Sequence, residues 1–216
     1  MIRISSILLI AGLSFSLFAA DLSEVLTKVS SYDYGDSREN LTLLSDMLRQ
    51  ASGDALKLAE YEKAMLQVVG VKETTFAAKQ FLCKELSIMG TEQSVPILAN
   101  LLKQEETADI ARYALERIPG EQVDATLLAA MKKTKGAVQV GIINTIGERR
   151  MTGAAADLGK LLTAKDANIA MAAAAALGKI GTDESATLLG TSLLKATGPV
   201  RAVTVNAYLK NADAFF

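Results

Sequence analysis

The sequence predicts an all-α solenoid, a superhelix of antiparallel helix pairs stacked in a row. Three observations carry that prediction. Apolar residues recur at helical spacing along the chain, and the alternation expected of half-buried strands is nearly absent. Four segments align on their helix ends: ELSIMGTEQ from Glu85, ALERIPGEQ from Ala114, TIGERRMTG from Thr145 and ALGKIGTDE from Ala176. Each is followed by a second apolar helix, marked in turn by Leu98-Leu101-Leu102, Leu127-Leu128-Met131, Leu158-Leu161-Leu162 and Leu188-Leu189-Leu193. The period is about thirty residues, enough for one helix pair and two short turns. One pair cannot bury its own apolar stripe, so neighbours must stack into a continuous core.

Taken in order, residues 1–20 read as a secretory leader. Arg3 supplies the positive start, Ile4 to Phe18 the apolar stretch, and Ala19-Ala20 the small-residue exit before Asp21. Phe18 departs from the pattern at the third position before a cut after Ala20. The apolar run is short for a membrane span and is interrupted by Ser5, Ser6, Gly12, Ser14 and Ser16. The mature chain is therefore expected to be exported, periplasmic or secreted, and not membrane-spanning.

Residues 21–73 read as a divergent helical N-terminal cap, and residues 74–216 as the repeats. A first helix runs from Asp21 to Ser30, with Asp21 and Glu24 able to form a capping box. The loop Ser31-Tyr32-Asp33-Tyr34-Gly35 reads as packing of the first helix on the second, with a contact role as the alternative. Asp36 and Glu39 are expected to cap a second helix striped by Leu41, Leu44 and Leu48. After Ser52-Gly53-Asp54 a third helix runs from about Ala55 to Val69, and a fourth from about Thr74 to Met89. Gly90, Gly120 and Gly181 hold equivalent turns in the first, second and fourth copies, and Arg150 stands at that place in the third. Ala170 and Ala172 to Ala176 leave little side chain between helices, so backbones there can approach closely.

Composition removes several chemistries. The chain has 216 residues, no histidine, no tryptophan and one cysteine, so neither a Ser-His-Asp nor a Cys-His nucleophile system can be built. The common zinc sites that need imidazole are excluded with them. With 23 basic and 24 acidic residues, the chain carries no electrostatic footprint for nucleic acid. No cofactor and no metal are expected. The glycines from Gly153 to Lys160 do not make a phosphate loop, because the spacing is one too long and Leu161 stands where Ser or Thr is needed. Asn40-Leu41-Thr42 is a sequon by pattern alone, on a predicted helix.

The repeats resemble HEAT repeats, in the short HEAT-like form also found in bilin lyases. The residues that carry this are DANIAMAAAAALGKIGTDESATLLGTSLL from Asp166, the Val200-Arg201 pair, and Pro96 in a first helix. The likeness covers about Thr74 to the C-terminus. Through YDYGDSRENL, FLCKELSIMGTEQSVPIL and ARYALERIPG the whole chain also resembles exported HEAT-repeat proteins of planctomycete and verrucomicrobial type. The resemblance implies a solenoid surface that binds a protein partner. It also implies an alternative, an enzyme subunit or a protein handling a chromophore or small ligand. Iron-dependent hydroxylases with HEAT-like repeats hold their metal by His-Glu pairs, which this chain cannot supply.

The candidate binding residues are Arg112, Tyr113, Glu116 and Arg117 on one helix, with Glu148, Arg149 and Arg150 at the next helix end. Arg112 and Glu116, four apart, can pair on one face. Side-by-side packing of equivalent helices is expected to bring Arg117 near the Glu148 to Arg150 turn. Such a ridge suits an acidic segment or carboxylate, though basic residues at a helix end also offset the dipole there. Glu105, Glu106 and Asp109 read as charges favouring a helix start rather than a metal site. Cys83, flanked by Phe81, Leu82 and Leu86, reads as a buried small side chain.

Overall fold

The computed structural model describes residues 21–213; the leader and the Phe215-Phe216 end lie outside the described residues. Among the described residues there are twelve α-helices and no strand. They are α1 (Leu22–Ser30), α2 (Glu39–Gln50), α3 (Ala55–Val69), α4 (Phe76–Met89), α5 (Val95–Leu101) and α6 (Ala108–Arg117), then α7 (Glu121–Lys133), α8 (Gly136–Glu148), α9 (Ala155–Leu161), α10 (Ala167–Ile180), α11 (Asp183–Leu193) and α12 (Gly198–Asp213). Short 3-10 turns, Glu92–Ser94 and Thr152–Ala154, lead into α5 and α9.

The helices form two layers. In the even layer α4 packs on α6, α6 on α8, α8 on α10 and α10 on α12. Ser45 of α2 donates to Glu85 of α4 at 2.8 Å and so joins α2 to that layer. In the odd layer α1 packs on α3, α5 on α7 and α9 on α11. Lys132 of α7 pairs with Asp157 of α9 at 2.6 Å. Each even helix also packs on the odd helix before it. The fold is thus the α-solenoid that the repeat spacing predicts.

The core is the seam between the layers. Leu98, Leu127, Leu158 and Leu189, one from each odd helix after α3, have no accessible surface. Facing them, Leu86, Leu115, Ile146 and Leu177 hold the same position near the ends of α4, α6, α8 and α10, and all four are fully buried. Burying a leucine or isoleucine side chain is worth about 1.5–3 kcal/mol. This ladder therefore supplies a large share of the cohesion between repeats.

Small residues set the spacing within the even layer. A Cβ on Gly147 of α8 would lie 2.8 Å from the Ala176 Cα of α10. A Cβ on Gly178 would lie 2.9 Å from the Ala207 Cα of α12. Backbone meets backbone at both places, so the close approach expected of the alanine run around α10 is built with glycine as well.

The helix starts correct the sequence expectations in part. Asp21 accepts from the Ser23 amide at 2.9 Å, but Glu24 pairs with Lys28 instead of closing a capping box. Arg38 stands at the N-cap of α2 with no side-chain bond. Asp36 accepts from the Asp33 amide at 2.9 Å, so its carboxylate is spent on the preceding loop. Thr75, rather than Thr74, caps α4 through the Ala78 amide.

The four equivalent turns also differ in conformation. Gly181 (φ 69°) and Arg150 (φ 51°) are left-handed, whereas Gly90 is extended at φ −66°. Gly90 is required for space instead: a Cβ there would lie 2.4 Å from the Leu86 carbonyl oxygen. Arg150 bears the strain of a left-handed side-chain residue because the turn closes well, with Met151 donating to the Ile146 carbonyl at 3.2 Å.

Candidate functional site

Stacking turns the thirty-residue period into rows on the exposed face of the even layer. Gln80, Asp109, Val140 and Met171 stand in register, as do Lys84, Tyr113, Asn144 and Ala175, and as do Ile88, Arg117, Glu148 and Lys179. The first members of each row, from α4 and α6, are exposed, and Val140, Met171 and Ala175 are half-buried.

Five of the seven sequence-predicted residues lie on or beside this face, Arg112, Tyr113, Glu116 and Arg117 as a linked group and Glu148 apart from them. Arg112 donates to Asp109 at 3.1 Å and to the Thr145 hydroxyl of α8 at 3.4 Å. Its expected pairing with Glu116 is the longer contact, at 3.9 Å. Glu116 in turn accepts from Thr145 at 3.1 Å, so the α6 carboxylate is tied to α8. Arg117 lies 4.0 Å from the centre of the Tyr113 ring and also reaches Glu116 at 3.8 Å. Glu148 pairs with Lys179 of α10.

The Glu148 to Arg150 turn does come close to Arg117, since Arg149 bonds the carbonyls on either side of it, but Arg117 and Glu148 form no ion pair. Arg117 folds back over its own helix because the Tyr113 ring and the Tyr113 carbonyl, 3.4 Å away, offer closer partners. Arg149 leaves the face altogether. Its guanidinium donates to the carbonyls of Leu115 (3.0 Å), Glu116 (3.0 Å) and Ile118 (2.7 Å), and pairs with Asp124 at 2.7 Å. With its side chain 12% exposed, it closes the C-terminal end of α6. Arg150 is exposed in its left-handed turn.

At the N-terminal end of the face lies a groove of about 520 Å³, between the α1–α2 loop, α2, α4 and α6. Tyr32, Tyr34, Phe81 and Tyr113 all line it. The described residues hold only seven aromatics, so four of them converge here from positions far apart in the chain. Tyr34 is 62% exposed and Tyr113 41%, although their rings are apolar.

Local bonding holds the groove open. Gly35, at φ 99°, turns the loop back. The Thr75 amide donates to the Ser30 carbonyl at 3.1 Å, and the Thr75 hydroxyl donates to the Tyr32 carbonyl. The Tyr34 hydroxyl donates to Gln80 of α4 at 2.8 Å. Tyr34 is thus tied to α4 through its hydroxyl while most of the residue stays exposed. The sequence singled out this loop and Tyr113 separately; the stacking of α4 and α6 makes them one site.

Cys83 borders the groove from beneath, 1% exposed. Burial pushes its thiol up to about 12, and nearby Lys79 only slightly opposes this. It is therefore a protonated packing group at neutral pH. Among the described residues no cluster of three or more Cys, Asp or Glu is placed to hold a metal ion. Glu105 and Glu106 are exposed before α6, while Asp109 is engaged by Arg112. Among the same residues no helix is long and apolar enough to cross a membrane.

A family model for HEAT repeats matches residues 124–208, from α7 through most of α12. No curated protein matches the chain. Among solved structures, an engineered protein is similar at 19% identity over 89% of this chain and 96% of its own, with a TM-score of 0.46. A computationally designed armadillo repeat protein for modular peptide recognition is similar at 16% identity, over 88% of this chain and 99% of its own, with a TM-score of 0.45.

Proposed function

We propose that this chain is a non-catalytic protein-binding or scaffolding module of the bacterial periplasm, working through the exposed face of its even layer. The observation that carries the reading is the convergence of Tyr32, Tyr34, Phe81 and Tyr113 in one preformed groove. Tyrosine is favoured at protein interfaces because a rigid apolar ring and a polar tip are presented at low entropic cost. Folding here leaves two such rings exposed where a self-sufficient solenoid would bury them. The rows beyond the groove, through Asn144 and the Glu148–Lys179 pair, extend the surface across α8 and α10. The periplasmic setting rests on the leader read in residues 1–20.

A photo-reactive residue at Tyr34 or Asn144 should cross-link a protein partner in the native host. The same group at Ala125, exposed on α7 of the other layer, should not. Equal labelling from both layers would defeat the reading. Export is checked by the N-terminus of the purified mature protein, which should begin near Asp21.

A second reading is favoured by the groove volume, which falls within the range of small-molecule sites, about 300–1,000 Å³. In it the chain handles a chromophore or other small organic ligand, in the manner of HEAT-like bilin-lyase relatives. Co-purification of such a ligand, lost in a Tyr113→Ala variant, would favour it over a protein partner.

A further inference from the structure

We propose that the aromatic groove takes an extended acidic segment of a partner protein, with an aromatic side chain seated against Tyr34 and Tyr113. The proposal rests on the protein-binding reading and adds the chemistry of the partner. It starts from the four charged residues that line the groove: Arg38, Lys84, Glu85 and Asp109. The two carboxylates are already served. Glu85 accepts from Ser45 at 2.8 Å, and Asp109 is paired with Arg112 at 3.1 Å.

The two cations are not. Neither Arg38 nor Lys84 lies within 4 Å of a carboxylate among the described residues. Arg117, stacked on Tyr113, adds a third positive group at that edge, held to Glu116 only at 3.8 Å. The groove therefore offers unspent positive charge beside apolar ring faces. A free carboxylate between Arg38 and Lys84 would gain charge-assisted hydrogen bonds without displacing an existing pair. A lysine-bearing segment would meet like charge from Arg38 and Lys84 and find Asp109 already ion-paired, leaving Glu85 as the one groove carboxylate with no cation beside it.

The rings ask for a flat apolar anchor. Tyr34 is fixed by its bond to Gln80, and Tyr113 is covered on one side by Arg117, so each has a ring surface held in place before binding. An aromatic side chain set against them gains stacking as well as burial. Acidic residues flanking that anchor would then reach the cations.

The test uses the full mature chain and three labelled decapeptides. One carries a phenylalanine flanked by glutamates, the second replaces the glutamates with lysine, and the third replaces the phenylalanine with glycine. An uncharged oligosaccharide is the fourth probe. The first peptide should bind at least tenfold more tightly than the others and weaken as salt screens the charges. Lys84→Glu and Tyr113→Ala should each reduce its binding at least tenfold, with unfolding midpoints measured alongside. Tyr113→Phe should retain it, because the ring is kept.

Equal binding of the lysine peptide would overturn the charge assignment while leaving the groove as a protein site. Oligosaccharide binding without peptide binding would overturn this proposal and the protein-binding reading together. Peptide binding that ignores both substitutions would place the contact elsewhere and defeat the groove proposal. Binding of no probe would overturn the stated partner chemistry, and the cross-linking from Tyr34 would then decide the broader reading independently.

Discussion

The Arg149 guanidinium donates to the Ile118 carbonyl at 2.7 Å, reaching from the end of α8 to the end of α6. The last carbonyls of a helix have no partner within it, and here an arginine from the next repeat satisfies three oxygens at once. Asn211 does part of the same work two repeats later, donating to the Leu177 carbonyl at 3.4 Å across an equal interval of 34 residues. Arg149→Ala should lower stability by about 2–3 kcal/mol, because charge-assisted bonds are lost and buried acceptors are left bare. Denaturant unfolding checks this. Unchanged stability with lost partner binding would instead make Arg149 a recognition residue.

Glycine at the even-layer contacts should prove less replaceable than Gly153, which stands open in its turn. Gly178→Ala sets a methyl group against the α12 backbone and should cost about 1–3 kcal/mol, as overpacking does. Gly153 has nothing within 4 Å of an added Cβ and no left-handed backbone. Gly153→Ala should be neutral or stabilise by up to about 1 kcal/mol. Thermal melts of the two variants side by side would show whether backbone contact or turn geometry governs these positions.

The helices were legible because their signals are local: leucine spacing, Asp54 before α3, Pro96 in the first turn of α5. Several stabilising contacts were not, because their partners lie one repeat away. Glu62 of α3 is 1% exposed and accepts from the Thr91 amide at 2.7 Å and the Ser94 hydroxyl at 2.6 Å. Glu92 repeats the device, accepting from the Gln122 amide at 2.9 Å. Nothing in the residues adjacent to either glutamate marks these bonds, because the acceptor and donor belong to different helices. The groove was hidden for the same reason, since Tyr34 and Tyr113 meet only after α4 and α6 pack. Comparing the exposed register of successive repeats, Lys84 with Tyr113 with Asn144, was the signal that could have joined them.

Asp157 should lend stability that disappears in acid. Hydrogen bonds from Lys132 and then Lys160 lower its carboxyl from 3.8 to about 2. A carboxylate depressed on folding contributes above its unfolded value, and the contribution is lost as pH falls through the folded one. The window is therefore from about pH 4 down to about pH 2. Because the pair lies near solvent, Asp157→Asn should cost less than about 1 kcal/mol at neutral pH and less in high salt. Stability curves of both proteins should converge below pH 2. A gap that persists there would mean that the side chain acts by packing.

Cys83 should behave as a core residue even though it borders the groove. With its thiol raised to about 12 by burial, roughly one molecule in ten thousand is thiolate at pH 8. Alkylation of the native chain should therefore be orders of magnitude slower than in denaturant, and should follow opening of the fold. Cys83→Ala removes one buried sulfur and should cost about 1 kcal/mol while leaving partner binding intact. Rapid alkylation in the native state, or lost binding in a well-folded Cys83→Ala protein, would move the thiol from the core into the chemistry of the groove.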